Sequence, residues 1–356
     1  MKIKVEAKAL NYALSRVKRA GGDTVLIDAT GSNVTLESGC GLWVRVPLEA
    51  QIDKPGKAIA PASEMVSACR HMDGTVAMKA MKSGLSLRCS GCRYRLDSRP
   101  PDEYTTGKWD VSGAGCVVDE PAKWLRVSVA ASNSSDWYSL GSVNLEAYDT
   151  GVCVTATDGR RIARYGRQGA VKKSGALIPS HYARAIAGLA GDEPMHVISG
   201  PDHMQASGPG WEASSLLVAG QYPDVEPVIA KARVKELRCQ AADLRSALRR
   251  AIILVDAKTS NCVEIKADGN EAVIRAATPT VGEAEVSLAM ISDTDMEVSF
   301  NPRLLLDGVE LYPADCELVI EYADSTSPML MRSDLDGTPL YVLAPVSVRA
   351  AEEVEV

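Results

Sequence analysis

Apolar positions along the chain change period in a recurring order. Leu10, Ala13, Leu14 and Val17 stand at i, i+3, i+4 and i+7, which predicts an amphipathic helix over about Ala9–Ala20. Gly21-Gly22 follows, the residue type that ends helices. A second helix is predicted from about Pro121, carrying Trp124 and Leu125. A third starts near Ala242, with Leu244, Ala247, Leu248, Ala251 and Ile252 on one face. After each helix the period drops to two. Val263, Ile265 and Ala267 alternate up to Asp268-Gly269-Asn270, and Ala272, Ile274 and Ala276 alternate beyond it. Val143 and Leu145 lead through Asp149-Thr150-Gly151 to Val152, Val154 and Ala156. Val34 and Leu36 pair in the same way with Leu42, Val44 and Val46 around Gly39–Gly41. Asx-Gly turns between period-2 runs predict β-hairpins.

A later helix also recurs, opened by proline at Pro61, Pro179 and Pro302, at intervals of about 120 residues. Each is followed by an apolar strand: Thr75–Met78, Met195–Ile198 and Glu317–Tyr322. The chain therefore reads as one unit written three times. The predicted fold class is α+β, with antiparallel sheet on one side of each unit and two helices on the other. The expected domains are 1–110, 111–230 and 231–348, with a tail over 349–356 that is acidic from Ala350 to Val356.

Composition narrows the class further. The 356 residues are 46% hydrophobic and 24% charged, and the net charge is −7, as in an ordinary globular protein. No run of about 18 apolar residues spans a membrane. Met1–Leu10 alternates Lys with apolar residues and lacks the apolar block of a signal peptide, so a cytoplasmic location is expected. Nine scattered cysteines then read as reduced thiols.

Few motifs carry chemistry. Cys89-Ser90-Gly91-Cys92 has redox or half-zinc spacing, but Leu85, Leu87 and Cys89 alternate into a two-residue turn and Cys92, Tyr94 and Leu96 alternate out of it. That pattern pairs 89 with 92, 87 with 94 and 85 with 96 in a hairpin. No second C-x-x-C or spaced histidine pair completes a metal site; His71, His181, His196 and His203 stand apart. Asp334-Leu335-Asp336-Gly337 reads as a turn, not a calcium loop, and Gly113-Ala114-Gly115 opens no nucleotide-binding helix. No metal, no cofactor and no catalytic constellation are expected; the thiol or metal enzyme around Cys89 and Cys92 is a rival reading.

Basic residues recur at matching places in this acidic chain. The first helices carry Arg16, Lys18 and Arg19, then Lys123 and Arg126, then Arg245, Arg249 and Arg250; the second helices add Arg70, Arg184 and Arg303. Gathered on one side, they would attract phosphate backbones without reading bases.

Four ordered strings carry a resemblance: TATDGRRIA (Thr155–Ala163), GQYPDVEPVI (Gly220–Ile229), FNPRLLLDGVELY (Phe300–Tyr312) and LYVLAPV (Leu340–Val346). RLDSRPPDEYTTGKW (Arg95–Trp109) adds a fifth. The chain resembles the bacterial DNA polymerase III beta subunit, the replicative sliding clamp. The resemblance implies a head-to-tail homodimer of three-domain chains closing a ring, with helices lining the hole and sheets outside. Its implied partners are double-stranded DNA, held without sequence preference, a replicative DNA polymerase, a clamp loader and a second copy of the chain, with no membrane. It implies no enzymatic activity. The DNA-facing set would be Arg16, Lys18, Arg19, Arg70, Lys123, Arg126, Arg184, Arg245, Arg249 and Arg250.

The resemblance also implies an apolar partner-peptide cleft. By matching motifs its residues are Leu140, Thr157, Gly159, Arg160, Arg161, Ile162, Pro223, Val228, Val342, Ala344, Pro345 and Val346. The ring seam would join Tyr94 and Leu96 to Ile253 and Leu254. Arg160 replaces the family's usual His, and Ala344 replaces its usual Met; the second departure implies a wider or shallower cleft. A clamp-derived protein that binds partners without encircling DNA is the alternative within the family.

Overall fold

The periodic helices and hairpins form where the apolar pattern places them. The computed structural model describes residues 1–133, 139–255, 262–278, 282–292 and 295–346. Seven α-helices are present among these: α1 (Ala7–Val17), α2 (Ala62–Cys69), α3 (Pro121–Trp124), α4 (Ser180–Ala190), α5 (Glu226–Ile229), α6 (Ala241–Ala251) and α7 (Pro302–Val309). On α1 the buried positions are Ala7, Leu10, Ala13, Leu14 and Val17; on α6 they are Ala241, Leu244, Ala247, Leu248 and Ala251. Both stripes follow the spacing, except that Ile252 falls in the 3-10 turn after α6 and is only half-buried.

Two details differ from expectation. Pro61 and Pro179 occupy the N-cap position of α2 and α4, and only Pro302 sits in the first turn, where Asn301 caps α7 by accepting from the Arg303 and Leu304 amides. The helix from Pro121 is a single α-turn that continues as a 3-10 stretch, Leu125–Ala130. Its Val-Ser-Val sequence has low helix propensity, and Leu125, Val127 and Ala130 are buried along the tighter spiral.

The chain packs as two compact units. The first comprises Met1–Arg126, Leu145–Val152 and Gly169–Ala219. One of its sheets has five strands in the order Ala50–Lys54, Lys2–Glu6, Thr75–Met81, Gly84–Cys89 and Cys92–Asp97. The hairpin register at its edge is Leu85 with Leu96, Leu87 with Tyr94 and Cys89 with Cys92, as the alternation requires. The second sheet has eight strands and draws on two of the repeats. Trp211–Leu216 pairs with Leu42–Leu48, setting Glu212 opposite Arg45.

The second unit comprises Val127–Asn144, Cys153–Gln168 and Gly220–Val356. Within it Arg161–Tyr165 lies beside Leu340–Leu343, then Met329–Arg332, Glu317–Tyr322, Lys235–Gln240 and Ile291–Ser292. A four-stranded sheet runs Gly282–Ala289, Glu271–Thr278, Val263–Asp268 and Met296–Phe300. These strands pair antiparallel, as expected of an α+β hairpin protein. Asp334–Gly337 forms a turn in which Asp334 pairs with Arg332. The expected acidic tail falls outside the described residues.

Candidate functional site

The second unit holds a concave apolar pocket of about 380 Å³, and its rim begins at a hairpin turn. The turn residues Asp158–Arg160 join Val152–Thr157 to Arg161–Tyr165, and their side chains lock it. Thr157 Oγ1 donates to the Arg161 carbonyl at 2.6 Å and accepts from the Gly159 amide at 3.1 Å. Asp158 Oδ1 accepts from the Arg160 and Arg161 amides at 2.9 and 3.1 Å. Gly159 has φ +85°, the left-handed region in which an added side chain is strained.

Arg161 anchors this turn from beneath. Its side chain is 7% exposed and donates to Asp158 at 2.9 Å, to Asp307 on α7 at 2.7 Å and to the Val129 carbonyl at 2.6 Å. Burial opposes its charge, but Tyr341, Asp307 and Asp158 outweigh burial and hold the guanidinium more firmly protonated than a free arginine.

The floor is a small core of Ile162, Val225, Leu330 and Val342, on which Ile229 and Leu340 pack. Ile162 and Val342 are register partners on neighbouring strands, so their side chains share one face. One wall is α5 and the segment before it, carrying Pro223, Asp224, Val225 and Val228. Buried Arg164 ties α5 to the sheet by an ion pair with Glu226, and also donates to Thr155 Oγ1 at 3.2 Å. Arg233 closes the far end of α5, donating to the Val228 and Ile229 carbonyls and to Pro328, each at 3.0 Å. The Ala344 amide donates to the Arg160 carbonyl at 2.8 Å, which fixes the strand end across the pocket mouth.

The structure thus brings together Leu140, Thr157, Gly159, Arg160, Arg161, Ile162, Pro223, Val228, Val342 and Ala344 around one cavity. Pro345 and Val346 continue the chain from Ala344, and the Val346 amide donates to the Ser299 carbonyl at 2.8 Å. Sequence reasoning missed Ser139, Gln221, Asp224, Val225 and Pro328 as lining residues, and Asp307, Arg164 and Arg233 as supports. Gln221, Asp224 and Val225 lay inside the GQYPDVEPVI string and Asp307 inside FNPRLLLDGVELY; the others lay outside every such string.

The basic set is divided. Lys18, Arg19, Arg70, Arg126, Arg184, Arg249 and Arg250 are exposed. Arg16 donates to the Leu189 carbonyl near the end of α4 and lies 5.0 Å from the Tyr12 ring centroid. Lys123 pairs with Glu120 at 3.1 Å and Arg249 with Glu310 at 2.7 Å. Arg245 donates to the carbonyls of Val309, the last residue of α7, and of Tyr312 beyond it, where a cation also meets the negative end of the helix. Tyr94 and Leu96 lie on the edge strand of the five-stranded sheet; Ile253 and Leu254 form the 3-10 turn after α6. Ile253 is 77% exposed. Among the described residues, no group of three His, Cys, Asp or Glu is placed to hold a metal, and no helix is long and apolar enough to cross a membrane.

Repeated hairpin-and-helix units with a preformed apolar pocket define a protein of α+β clamp type. Residues 227–347 match the family described as the DNA polymerase III beta subunit, C-terminal domain. The beta sliding clamp of Pseudomonas putida is 23% identical over 336 residues, covering 90% of this chain and 91% of the relative. That of Escherichia coli K12 is 25% identical over 338 residues, covering 90% and 88%. The crystal structure of the DNA polymerase III subunit beta from Pseudomonas aeruginosa superposes with a TM-score of 0.88 at 21% identity, over 98% of this chain and all of the other. The Bacillus subtilis DNA polymerase sliding clamp gives 0.88 at 18% identity, over 98% of this chain and 100% of that one. The C-terminal third of the chain thus matches the DNA polymerase III beta subunit family, and beta sliding clamps are similar to it in sequence and fold along nearly its whole length.

Proposed function

We propose that this chain is a DNA sliding clamp, a processivity factor that encircles duplex DNA and tethers a replicative polymerase. The observation that carries the reading is the apolar pocket behind the Thr157–Arg161 turn, joined to likeness with beta clamps along nearly the whole chain. Three clamp domains, 1–110, 111–230 and 231–348, would pair head to tail with a second copy. Heterologous contacts of that kind close when the rotation permits a ring. Exposed Tyr94 and Ile253 are the apolar residues we assign to the seam, with Leu96 and Leu254 beside them.

Lys18, Arg19, Arg70, Arg126, Arg184, Arg249 and Arg250 are the exposed candidates for the DNA-facing surface, with Arg16, Lys123 and Arg245 set closer to the protein. Binding would be electrostatic and independent of base sequence, and topology would hold the ring on DNA. The pocket would take an apolar side chain or two from a short segment of the polymerase or of a clamp loader, with Arg160 at its rim. The protein would work in the cytoplasm and perform no chemistry of its own.

The test is the purified full chain, examined by analytical ultracentrifugation and by electron microscopy in projection. A particle of twice the 37.9 kDa chain mass, with an open centre, is the expected result. A monomer with no central opening at micromolar concentration overturns the ring and leaves partner binding as the reading. Occupancy of the pocket is tested separately by titration with griselimycin, with which the P. aeruginosa clamp has been crystallised.

A further inference from the structure

The tip of the edge hairpin in the first unit carries a feature that neither DNA nor partner binding uses. Ser90-Gly91 turns the strand Gly84–Cys89 into Cys92–Asp97, and Gly91 supplies the φ of +78° that a two-residue turn needs. The register sets Cys89 directly opposite Cys92, and the two Sγ atoms lie 2.7 Å apart. Opposed residues of an antiparallel pair have Cα atoms about 4.5–5.5 Å apart, inside the span a disulfide bridges. Both thiols are half-buried, and so open to a small reagent.

We propose that Cys89 and Cys92 form a reversible dithiol–disulfide site, oxidised by small-molecule disulfides of the glutathione class. The thiolate of one cysteine attacks the reagent's S–S bond, forming a mixed disulfide and releasing one small thiol. The neighbouring sulfur then attacks the mixed disulfide, forms the Cys89–Cys92 bond and expels the second small thiol. Two protein thiols are oxidised, one reagent disulfide is reduced to two thiols, and the two protons pass to those thiols. The second step is fast because the resolving sulfur is already in contact.

Contact and exposure favour this pair over others. The Cys89 thiol is pushed up, first by its hydrogen bond with Cys92 and then by burial, so the two sulfurs share a proton, and the Asp73 backbone amide partly offsets this. Cys69, at the end of α2, lies close enough to feel both thiols, but burial first, and then Cys89 and Cys92, push its thiol up to about 12. It is buried and stays reduced. No metal cluster competes for the sulfurs among the described residues. The bond would strap the start of the edge strand Cys92–Asp97.

The test equilibrates the full-length protein in glutathione buffers of rising oxidised fraction, quenches with an alkylating reagent and maps peptides by mass spectrometry. The expected result is loss of two of the nine thiols as a Cys89–Cys92 crosslink, restored by dithiothreitol. Cys92→Ser should stop at the first step, with glutathione trapped on Cys89, and Cys69→Ser should leave the crosslink unchanged. Full alkylation of both cysteines at every buffer ratio overturns the proposal. So does a crosslink to Cys69, or a stable glutathione adduct as the main wild-type product. None of these readouts depends on whether the chain forms a ring.

Discussion

Arg161 Nη1 lies 2.7 Å from Asp307 Oδ2 and joins the turn at the pocket rim to helix α7. The two residues are far apart in sequence, and the ion pair fixes how the hairpin stands over the helix. Because the guanidinium is also spent on Asp158 and the Val129 carbonyl, Arg161 supports the pocket from below more than it offers a free donor to a partner.

Arg161→Ala should therefore cost stability as well as binding. It leaves Asp158 Oδ2, Asp307 Oδ2 and the Val129 carbonyl without the guanidinium donor, a loss of about 2–3 kcal/mol once the partial exposure of Asp307 is discounted. Urea unfolding followed by circular dichroism measures this. A stability equal to the parent's, together with weakened griselimycin binding, would instead make Arg161 a direct ligand contact.

Val228 tests the pocket without disturbing its supports. It is 37% exposed and lines the wall formed by α5. Val228→Asp places a carboxylate against an apolar cavity, and griselimycin affinity should fall at least about tenfold, or about 1.4 kcal/mol. The melting temperature should hold. Unaltered affinity by calorimetry removes the pocket from the binding reading.

Gly308 on α7 sets helix propensity against packing. Alanine favours a helix interior over glycine by about 1 kcal/mol. A Cβ here, however, would lie 2.4–2.8 Å from the Tyr341 ring, and Tyr341 is fully buried with its hydroxyl donating to Leu304. Overpacking of about 1–3 kcal/mol should win, so Gly308→Ala lowers the denaturation midpoint. A rise in that midpoint would mean that α7 can shift freely.

The Asp324 carboxylate accepts from the Thr326 hydroxyl and amide and from the Ser327 hydroxyl and amide, and these hold its pKa down to about 2 from 3.8. A lowered folded pKa gives stabilisation that is complete above the unfolded value and lost as the pH falls from about 4 through about 2. Asp324→Ala should melt earlier than the parent at pH 7, and the gap should narrow across that acidic window. A gap independent of pH would show that the carboxylate's charge contributes nothing.

Ile253, 77% exposed after α6, is assigned to the seam. Ile253→Asp should shift the sedimenting species from a dimer to the 37.9 kDa chain and leave the monomer's thermal unfolding unchanged. A dimer of undiminished affinity would place the seam elsewhere.

The sequence by itself determined what depends on near neighbours. Period-2 runs around Ser90-Gly91 and Asp268–Asn270 set the registers Leu85–Leu96 and Ala267–Ala272, because a one-residue slip would turn every apolar side chain outward. The stripes of α1 and α6 were legible for the same reason, since 3.6-residue geometry ties burial to spacing. Motif strings located most of the pocket's lining, but as residues on separate segments. Only tertiary structure decided that Arg161 meets Asp307, that Arg164 meets Glu226, and that Arg245 turns to the carbonyls after α7 although it shares its helix with exposed Arg249 and Arg250. A charged side chain has many partners of suitable chemistry along 356 residues, and which one it finds depends on how the sheets and helices pack. The pocket exists for the same reason: its walls are distant segments brought around one small core.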